Sequence, residues 1–195
     1  WFEFIIDCAP LLRDRGLKVV LVSNGFINPE PFAELAPHID AMNIDFKSSD
    51  DSFYKKSCGG AVAPVMATIE KAVEAGIWVE VTQLVVTRLN DTVEQFERTA
   101  SSLASLSKDI PLHLSRYFPN YKLDNPPTPP ATLTRAWDIC KKHLNHVYVG
   151  NVADTSCSDT VCPDCGGTII SRRGYYIDAP KNCALTCPSC GKKVS

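Results

Sequence analysis

Long apolar runs are missing from this sequence. No stretch approaches the ~20 residues that a membrane-spanning helix needs, so no span and no membrane partner are expected. A dominant sign of charge is missing too: 20 Lys and Arg stand against 22 Asp and Glu, a formal net charge of −2. Without a basic excess, general nucleic-acid binding driven by counterion release is not expected. The opening stretch carries Glu3 and Asp7 where a secretory leader would be basic and then apolar, so a cytoplasmic location is expected. The chain opens on Trp1 and not on Met, which suggests a fragment or a processed product. Common catalytic signatures are also lacking. There is no G-x-S-x-G elbow and no H-E-x-x-H pair, and Cys58-Gly59-Gly60 is not followed by the Lys-Ser/Thr of a phosphate loop. Internal repeats and low-complexity tracts are absent, apart from the proline-rich connector Asn125-Pro-Pro-Thr-Pro-Pro130.

Cysteine is what the sequence has in excess. Of nine cysteines, six fall in the last 39 residues. Cys162-Pro-Asp-Cys165-Gly and Cys187-Pro-Ser-Cys190-Gly are two C-x2-C knuckles. Together they offer the four thiolates of a tetrahedral Zn2+ site, and the glycine after each second Cys lets the backbone turn under the metal. A zinc ribbon over residues 155–195 is expected, with Cys162, Cys165, Cys187 and Cys190 as ligands. The odd cysteine count suits a reducing compartment. A competing pattern overlaps the second knuckle. Cys183-x3-Cys187-x2-Cys190 has the spacing of three ligands of a 4Fe–4S cluster, but it would require Cys187 and Cys190 to leave the first knuckle. Cys8, Cys58 and Cys140 read as small buried hydrophobes. Arg172-Arg173 reads as a solvated hairpin tip, with contact to a polyanion as the alternative.

Ahead of residue 152, apolar runs alternate with helical periodicity. Helices are expected at residues 2–15, 29–35, 64–75 and 92–106, and from Thr132 or Thr134 to about 144. A helical turn is expected at 51–57. Strands are expected at 17–22, 41–46, 77–86, 111–115 and 146–149. Asp91 is the expected cap of the fourth helix, with Glu94 as its N3 acid. Such alternation calls for a parallel sheet with right-handed crossovers. Five β/α units are too few for a closed eight-stranded barrel. The expected fold is therefore α/β, a partial (β/α) barrel over residues 1–152 with strands missing at its N-terminal side, followed by the ribbon.

Several strands carry polar residues on one face. Residues two apart share a face, so Asn43, Asp45 and Lys47 align. Glu80 and Thr82 align on the third strand, and His113 and Ser115 on the fourth, while the first strand ends in Ser23-Asn24-Gly25. A strand buried on both faces does not carry such groups unless something polar lies beside it. Parallel α/β folds place ligands at the C-terminal ends of their strands. The residues by themselves point to a pocket for a polar, zwitterionic or anionic ligand. Local ion pairs at a solvated strand end are the alternative.

The motif set as a whole resembles a known family. Ser23-Asn24-Gly25-Phe26-Ile27, Asn43-Ile44-Asp45-Phe46-Lys47, and Phe53-Tyr54-Lys55-Lys56 before Cys58-Gly59-Gly60 resemble radical S-adenosylmethionine (SAM) enzymes. The branch is that of pyruvate formate-lyase activating enzymes. Leu112-His113-Leu114-Ser115-Arg116-Tyr117-Phe118-Pro119, Pro127-Thr128-Pro129, and Val147-Tyr148-Val149-Gly150-Asn151 ahead of the two knuckles are similar to the zinc-ribbon-bearing subgroup called AmmeMemoRadiSam system radical SAM enzymes. The resemblance implies a partial (β/α)6 barrel whose first strand leads into a C-x3-C-x2-C loop holding a 4Fe–4S cluster. Its second strand ends in Gly-Gly-Glu. Neither motif precedes Ser23-Asn24-Gly25 here, so about the first third of such an enzyme is expected to be absent and the chain alone to be inactive.

The resemblance also implies residue roles. Asn24 matches the family's polar strand end, and Asp45 and Lys47 match its D-x-K element beside the cofactor. Thr82 stands where activating enzymes often have an Arg in contact with the cofactor, and His113 matches a histidine near the adenosyl and methionine portion. Thr87-Arg88 replaces the family's usual Pro-Gly. Implied cofactors are S-adenosylmethionine, a 4Fe–4S cluster and Zn2+. Implied partners are an electron donor such as flavodoxin or ferredoxin and, as in activating enzymes, a protein substrate. Two rivals stand beside this reading: a zinc-ribbon binding module on an α/β scaffold, and an α/β enzyme using Asp45, Lys47 and His113 in acid–base work.

Overall fold

The computed structural model describes residues 1–153, 156–180 and 186–193. Two sheets are present among them. The larger is a parallel sheet of β1 (Val20–Ser23), β2 (Ala41–Asp45), β3 (Trp78–Val85), β4 (Leu112–Arg116) and β5 (Val147–Gly150), in the order β1-β2-β3-β4-β5. The smaller is an antiparallel sheet of β6 (Thr160–Val161), β7 (Thr168–Arg173) and β8 (Tyr176–Asp178). The helices are α1 (Phe2–Arg13), α2 (Pro29–Leu35), the single turn α3 (Asp51–Phe53), α4 (Val62–Glu74), α5 (Val93–Leu106) and α6 (Pro130–Cys140). The strand–helix alternation expected of an α/β chain is therefore present. The chain divides into two compact units, Trp1–Gln83 and Leu84–Ser195.

In the first unit, alternation sorts the side chains of β2 and β3. Met42 and Ile44 are buried, as are Val79 and Val81, while the residues between them are half-buried. Phe46 continues the buried set beyond β2. The core also takes Phe32 and Leu35 from α2, and Val65, Ile69 and Ala72 from α4. β1 begins three residues later than expected. Leu17 N donates to Leu12 O at the end of α1, and Val19 N donates to the Asp40 side chain, so these backbone groups serve a helix end and a loop instead of a ladder. Residues 54–58 wind as a wide π turn, not as an ordinary helical one.

In the second unit, Leu112 and Leu114 of β4 and Val147 and Val149 of β5 share the core with Phe96, Ala100 and Leu103 of α5 and Leu133, Ala136 and Ile139 of α6. The cap of α5 differs from expectation. Thr92 is the N-cap, with a reciprocal Thr92–Gln95 capping box, while Asp91 accepts from Arg88 N at 2.9 Å. Arg88 holds φ +69 there, a conformation that a non-glycine residue adopts only when its neighbours hold it. α6 starts at Pro130, earlier than Thr132, because proline's fixed φ and missing N–H suit a first helical position. Cys140 is fully buried as expected, and burial pushes its thiol up to about 12. Cys58, by contrast, is exposed and Cys8 half-buried; the expectation of burial fails for Cys58, which closes the π turn ahead of Gly59. No helix of the described residues is long and apolar enough to cross a membrane.

Candidate functional site

The turn after β1 is built around Gly25. Its φ is +68, and a Cβ there would lie 2.8 Å from Ile44 Cγ2 and 3.1 Å from Val65 Cγ1. Only glycine satisfies both the left-handed backbone and the close approach. Asn24 Oδ1 accepts from Phe26 N at 3.0 Å, and Ser23 Oγ accepts from Gly25 N at 3.1 Å. The Ser-Asn-Gly segment is thus a side-chain-tied turn, with Asn24 exposed.

Asn43, Asp45, Glu80 and Thr82 line the face of the first unit opposite its helices. The register pairs Asn43 with Glu80 and Asp45 with Thr82, so all four share that face. Thr82 Oγ1 donates to Asn43 Oδ1 at 2.9 Å. Lys47 Nζ lies 2.8 Å from Asp45 Oδ2, with each side chain about one third exposed (33% and 36%). The Lys47 backbone is held as well: its N–H donates to the Tyr54 hydroxyl at 3.0 Å. Tyr54 is buried against Phe46, and burial pushes its phenol up to about 12. The hydroxyl therefore stays neutral and accepts from Lys47 N–H. The structure thus brings Asn43, Asp45, Lys47 and Thr82 together, with Asn24 on the turn after the neighbouring strand.

In the second unit, His113 is half-buried and stands opposite Tyr148 in the β4–β5 register. The two rings stack with centroids 5.3 Å apart and planes 25° apart. Asn151, at φ +59, donates to Ser115 Oγ at 2.9 Å. The proline-rich connector does more than span a gap. Thr128, fully buried, donates to Val85 O and accepts from Tyr117 N, and its own carbonyl accepts from Arg116 Nε. Sequence reasoning treated this threonine as linker and assigned Tyr148 no role. A signal for Tyr148 was available in its position, two residues before Gly150 on a strand whose other residues are aliphatic.

The cysteine knuckles form the second candidate centre. Cys162, Cys165, Cys187 and Cys190 place all four Sγ atoms within 4.8 Å of one another. Cys162 and Cys190 are 3.8 Å apart, and Cys165 and Cys187 3.5 Å. A Zn–S bond of ~2.3 Å requires tetrahedral S–S edges of about 3.8 Å, so the donor set fits a tetrahedral dication. The two knuckles repeat one turn. Gly166 N donates to Cys162 O and Cys162 N to Gly167 O, while Gly191 N donates to Cys187 O and Cys187 N to Lys192 O. Gly166 and Gly191 have φ +71 and +73. A Cβ on Gly167 would meet Ser189 Oγ at 2.6 Å, so the second glycine of the first knuckle is what lets the other approach.

The electrostatics of the quartet point the same way. Backbone N–H groups of Cys190 and Ser189 hold the Cys187 thiol down to about 6. At Cys165 the Gly167 N–H favours the thiolate, but the neighbouring thiols Cys187 and Cys190 outweigh it and push the group up to about 12. Four sulfurs this close cannot all ionise unless a cation compensates them. Cys183, the remaining member of the competing triplet, lies outside the described residues. Cys187 and Cys190 sit with Cys162 and Cys165, so the described thiols do not present a three-iron set, and no other group of three or more His, Cys, Asp or Glu is positioned for metal among the described residues. The Arg172-Arg173 expectation is corrected in half. Arg173 pairs with Asp159 at 2.8 Å and is part-exposed, but Arg172 is half-buried and its guanidinium lies 5.4 Å from the Tyr148 ring centroid.

Comparison with known proteins settles the family. The profile of the Radical SAM superfamily matches residues 2–103. The chain belongs to the radical SAM superfamily. The uncharacterized protein MJ0808 of Methanocaldococcus jannaschii is 39% identical over 202 residues; the match takes in 100% of this chain and 59% of that protein. The chain thus spans about three-fifths of the length of that relative. Among solved structures, a domain of pyruvate-formate lyase-activating enzyme from Bacteroides vulgatus ATCC 8482 superposes with a TM-score of 0.67 at 20% identity, covering 77% of this chain and 91% of that one. A radical SAM methyltransferase from Sphaerobacter thermophilus superposes with a TM-score of 0.56 at 15% identity, covering 69% and 41%. At those identities the superpositions establish the shared α/β fold of a partial radical SAM barrel.

Proposed function

We propose that this chain is the cofactor-binding and C-terminal part of a radical SAM enzyme of the activating-enzyme-like branch, and that its cysteine-rich tail from about residue 155 is a zinc ribbon. The observation that carries the reading is the polar set Asn43, Asp45, Lys47 and Thr82 on a strand face of a superfamily sheet. A zwitterionic amino-acid moiety matches such a set. The Asp45 carboxylate complements an ammonium, and the Lys47 ammonium complements a carboxylate. Asn24 offers amide donors beside them. The resemblance implies a cofactor role for His113 as well. Cys162, Cys165, Cys187 and Cys190 hold the zinc, which supplies folding energy and no redox chemistry.

In such enzymes an iron–sulfur cluster supplies the electron that breaks the sulfonium bond of SAM. No thiol set for that cluster precedes Ser23 in this chain, and the described cysteines do not fit it. Its ligands, on this reading, lie in a further segment of the whole protein, as does the docking of a flavodoxin- or ferredoxin-type donor. A partner protein is the substrate class suggested by the activating-enzyme branch. The test is direct. This chain alone, reconstituted with iron and sulfide under reducing conditions, yields no 5′-deoxyadenosine; the full-length protein yields it, and Asp45→Ala or Lys47→Met lowers that yield at least tenfold with zinc content intact. Production by the chain alone, abolished by Cys183→Ala and unaffected by Cys162→Ala, overturns the assignment.

One feature favours the binding-module reading as a second possibility. Tyr175, Tyr176 and Ile177, at the β7–β8 turn, are largely exposed, as a protein-docking tip would be. That reading requires partner capture that survives Asp45→Ala and is lost with zinc.

A further inference from the structure

Tyr148 is the point at which the large sheet and the cysteine-rich hairpin of the second unit meet. Its ring stacks on His113. Its hydroxyl lies 3.2 Å from Thr160 Oγ1, and Arg172 sits over its ring. Arg172 is itself immobilised. Nη1 donates to Ser158 O and to Thr160 Oγ1, each at 2.9 Å, and its backbone N donates to Asp159 Oδ1 at 2.7 Å. The arrangement traces back to the metal site in few steps. Thr160 lies in β6, two residues before Cys162, and pairs with Ile170 of β7. Cys162, Ile169 and Cys187 form one small buried cluster with Ile170 packed on it. The four sulfurs therefore close the root of the hairpin that presents Thr160 and Arg172.

We propose that the hairpin is a positioning device for His113: Thr160 and Arg172 fix the Tyr148 ring, and Tyr148 fixes the imidazole. β5 ends the order of the sheet, so a ring on its polar face has a strand neighbour on one side alone. The hairpin supplies the other constraint, a hydroxyl partner and a cation over the ring. Thr160, Arg172 and Tyr148 are positioning residues on this account. The consequence for cofactor binding rests on the proposed role of His113; the geometry does not.

The experiment follows the His113 imidazole signals by NMR in the zinc-loaded chain, assigned with His113→Gln. Removing zinc with a chelator shifts or broadens them, because the stacked ring leaves its place. Arg172→Ala does the same, Arg172→Lys disturbs the signals less than Arg172→Ala, and Tyr175→Ala at the exposed hairpin tip leaves the signals where they were. Thr160→Val keeps the side-chain volume while removing the shared oxygen, and it decides the matter if Arg172→Ala does not fold. Unchanged His113 signals after zinc removal and in Thr160→Val overturn the proposal. Titration with SAM separates the two claims. If SAM moves the His113 signals, Arg172→Ala raises the midpoint on the order of tenfold. If SAM leaves them unmoved in the parent chain, the cofactor role of His113 fails, while the zinc and Thr160 results still decide the positioning role.

Discussion

The two units differ in how they treat the strands that carry their polar residues. In the first unit, Val20 and Val22 of β1 stand opposite Ala41 and Asn43 in register, on the same face as Asp45, and are 59% and 78% exposed; Trp78, opposite Ala41 from β3, is 51% exposed. In the second unit, β5 carries Tyr148 beside His113, and this ring is engaged by Thr160 and Arg172 of the hairpin. The first unit thus leaves a β-branched, aromatic-flanked face on an edge strand open. The second covers its own edge strand with the hairpin that carries the four-thiol set. An open apolar edge of this kind marks a surface available for burial.

The largest expected effect comes from breaking the covered side. Cys162→Ala, or zinc removal, costs the ribbon on the order of 10 kcal/mol of metal-derived folding energy. Hydrogen exchange of the β6–β8 amides then rises to near the unprotected rate, while β2 and β3 stay protected. Equal loss of protection in both units would mean that the metal holds the whole chain and that the contrast is false.

Gly25→Ala comes next, on the open side. The added methyl meets Ile44 at a distance that no Cβ tolerates, in a left-handed backbone, so about 3 kcal/mol of destabilisation is expected, read as a fall in the urea midpoint. Thr128→Val is smaller, near 2 kcal/mol. It removes the donor to Val85 O and the acceptor for Tyr117 N without changing volume, and the loss is expected to speed exchange at Tyr117 N. Val22→Thr sharpens the comparison at its quiet end. A residue this exposed changes stability by less than about 0.5 kcal/mol, while light scattering at high concentration falls. A cost near 2 kcal/mol would show that Val22 is buried in solution by a second chain.

Much of the fold was legible because local chemistry agreed with it. The two knuckles were readable from spacing and glycine alone, since both the metal and the turn constrain residues only a few positions apart. The alternation of Asn43, Asp45 and Lys47 was readable because the strand period is two. Two boundary errors share a cause, competition for backbone groups: Val19 N went to the Asp40 side chain, and Thr92 took the cap from Asp91 because Gln95 could reciprocate. Pro130 started α6 early for another reason, its fixed φ and missing N–H. Cys58 was misjudged because residue type carries no information about which side of a π turn faces water.

The sequence by itself determined the two C-x2-C knuckles, the glycine turn at Ser23-Asn24-Gly25 and the polar strand face, which follow from spacings of one to five residues, and the class of sheet, which follows from the alternation of strand and helix patterns along the chain. Tertiary structure alone decided that Thr128 bolts the connector to Val85 and Tyr117. It alone decided that Arg172 turns in towards Tyr148 while Arg173 pairs with Asp159, and that His113 rests on Tyr148 across 35 positions of chain. Those pairings join residues far apart in sequence, and which of them form depends on strand register and hairpin docking, quantities set by packing and not by any local pattern.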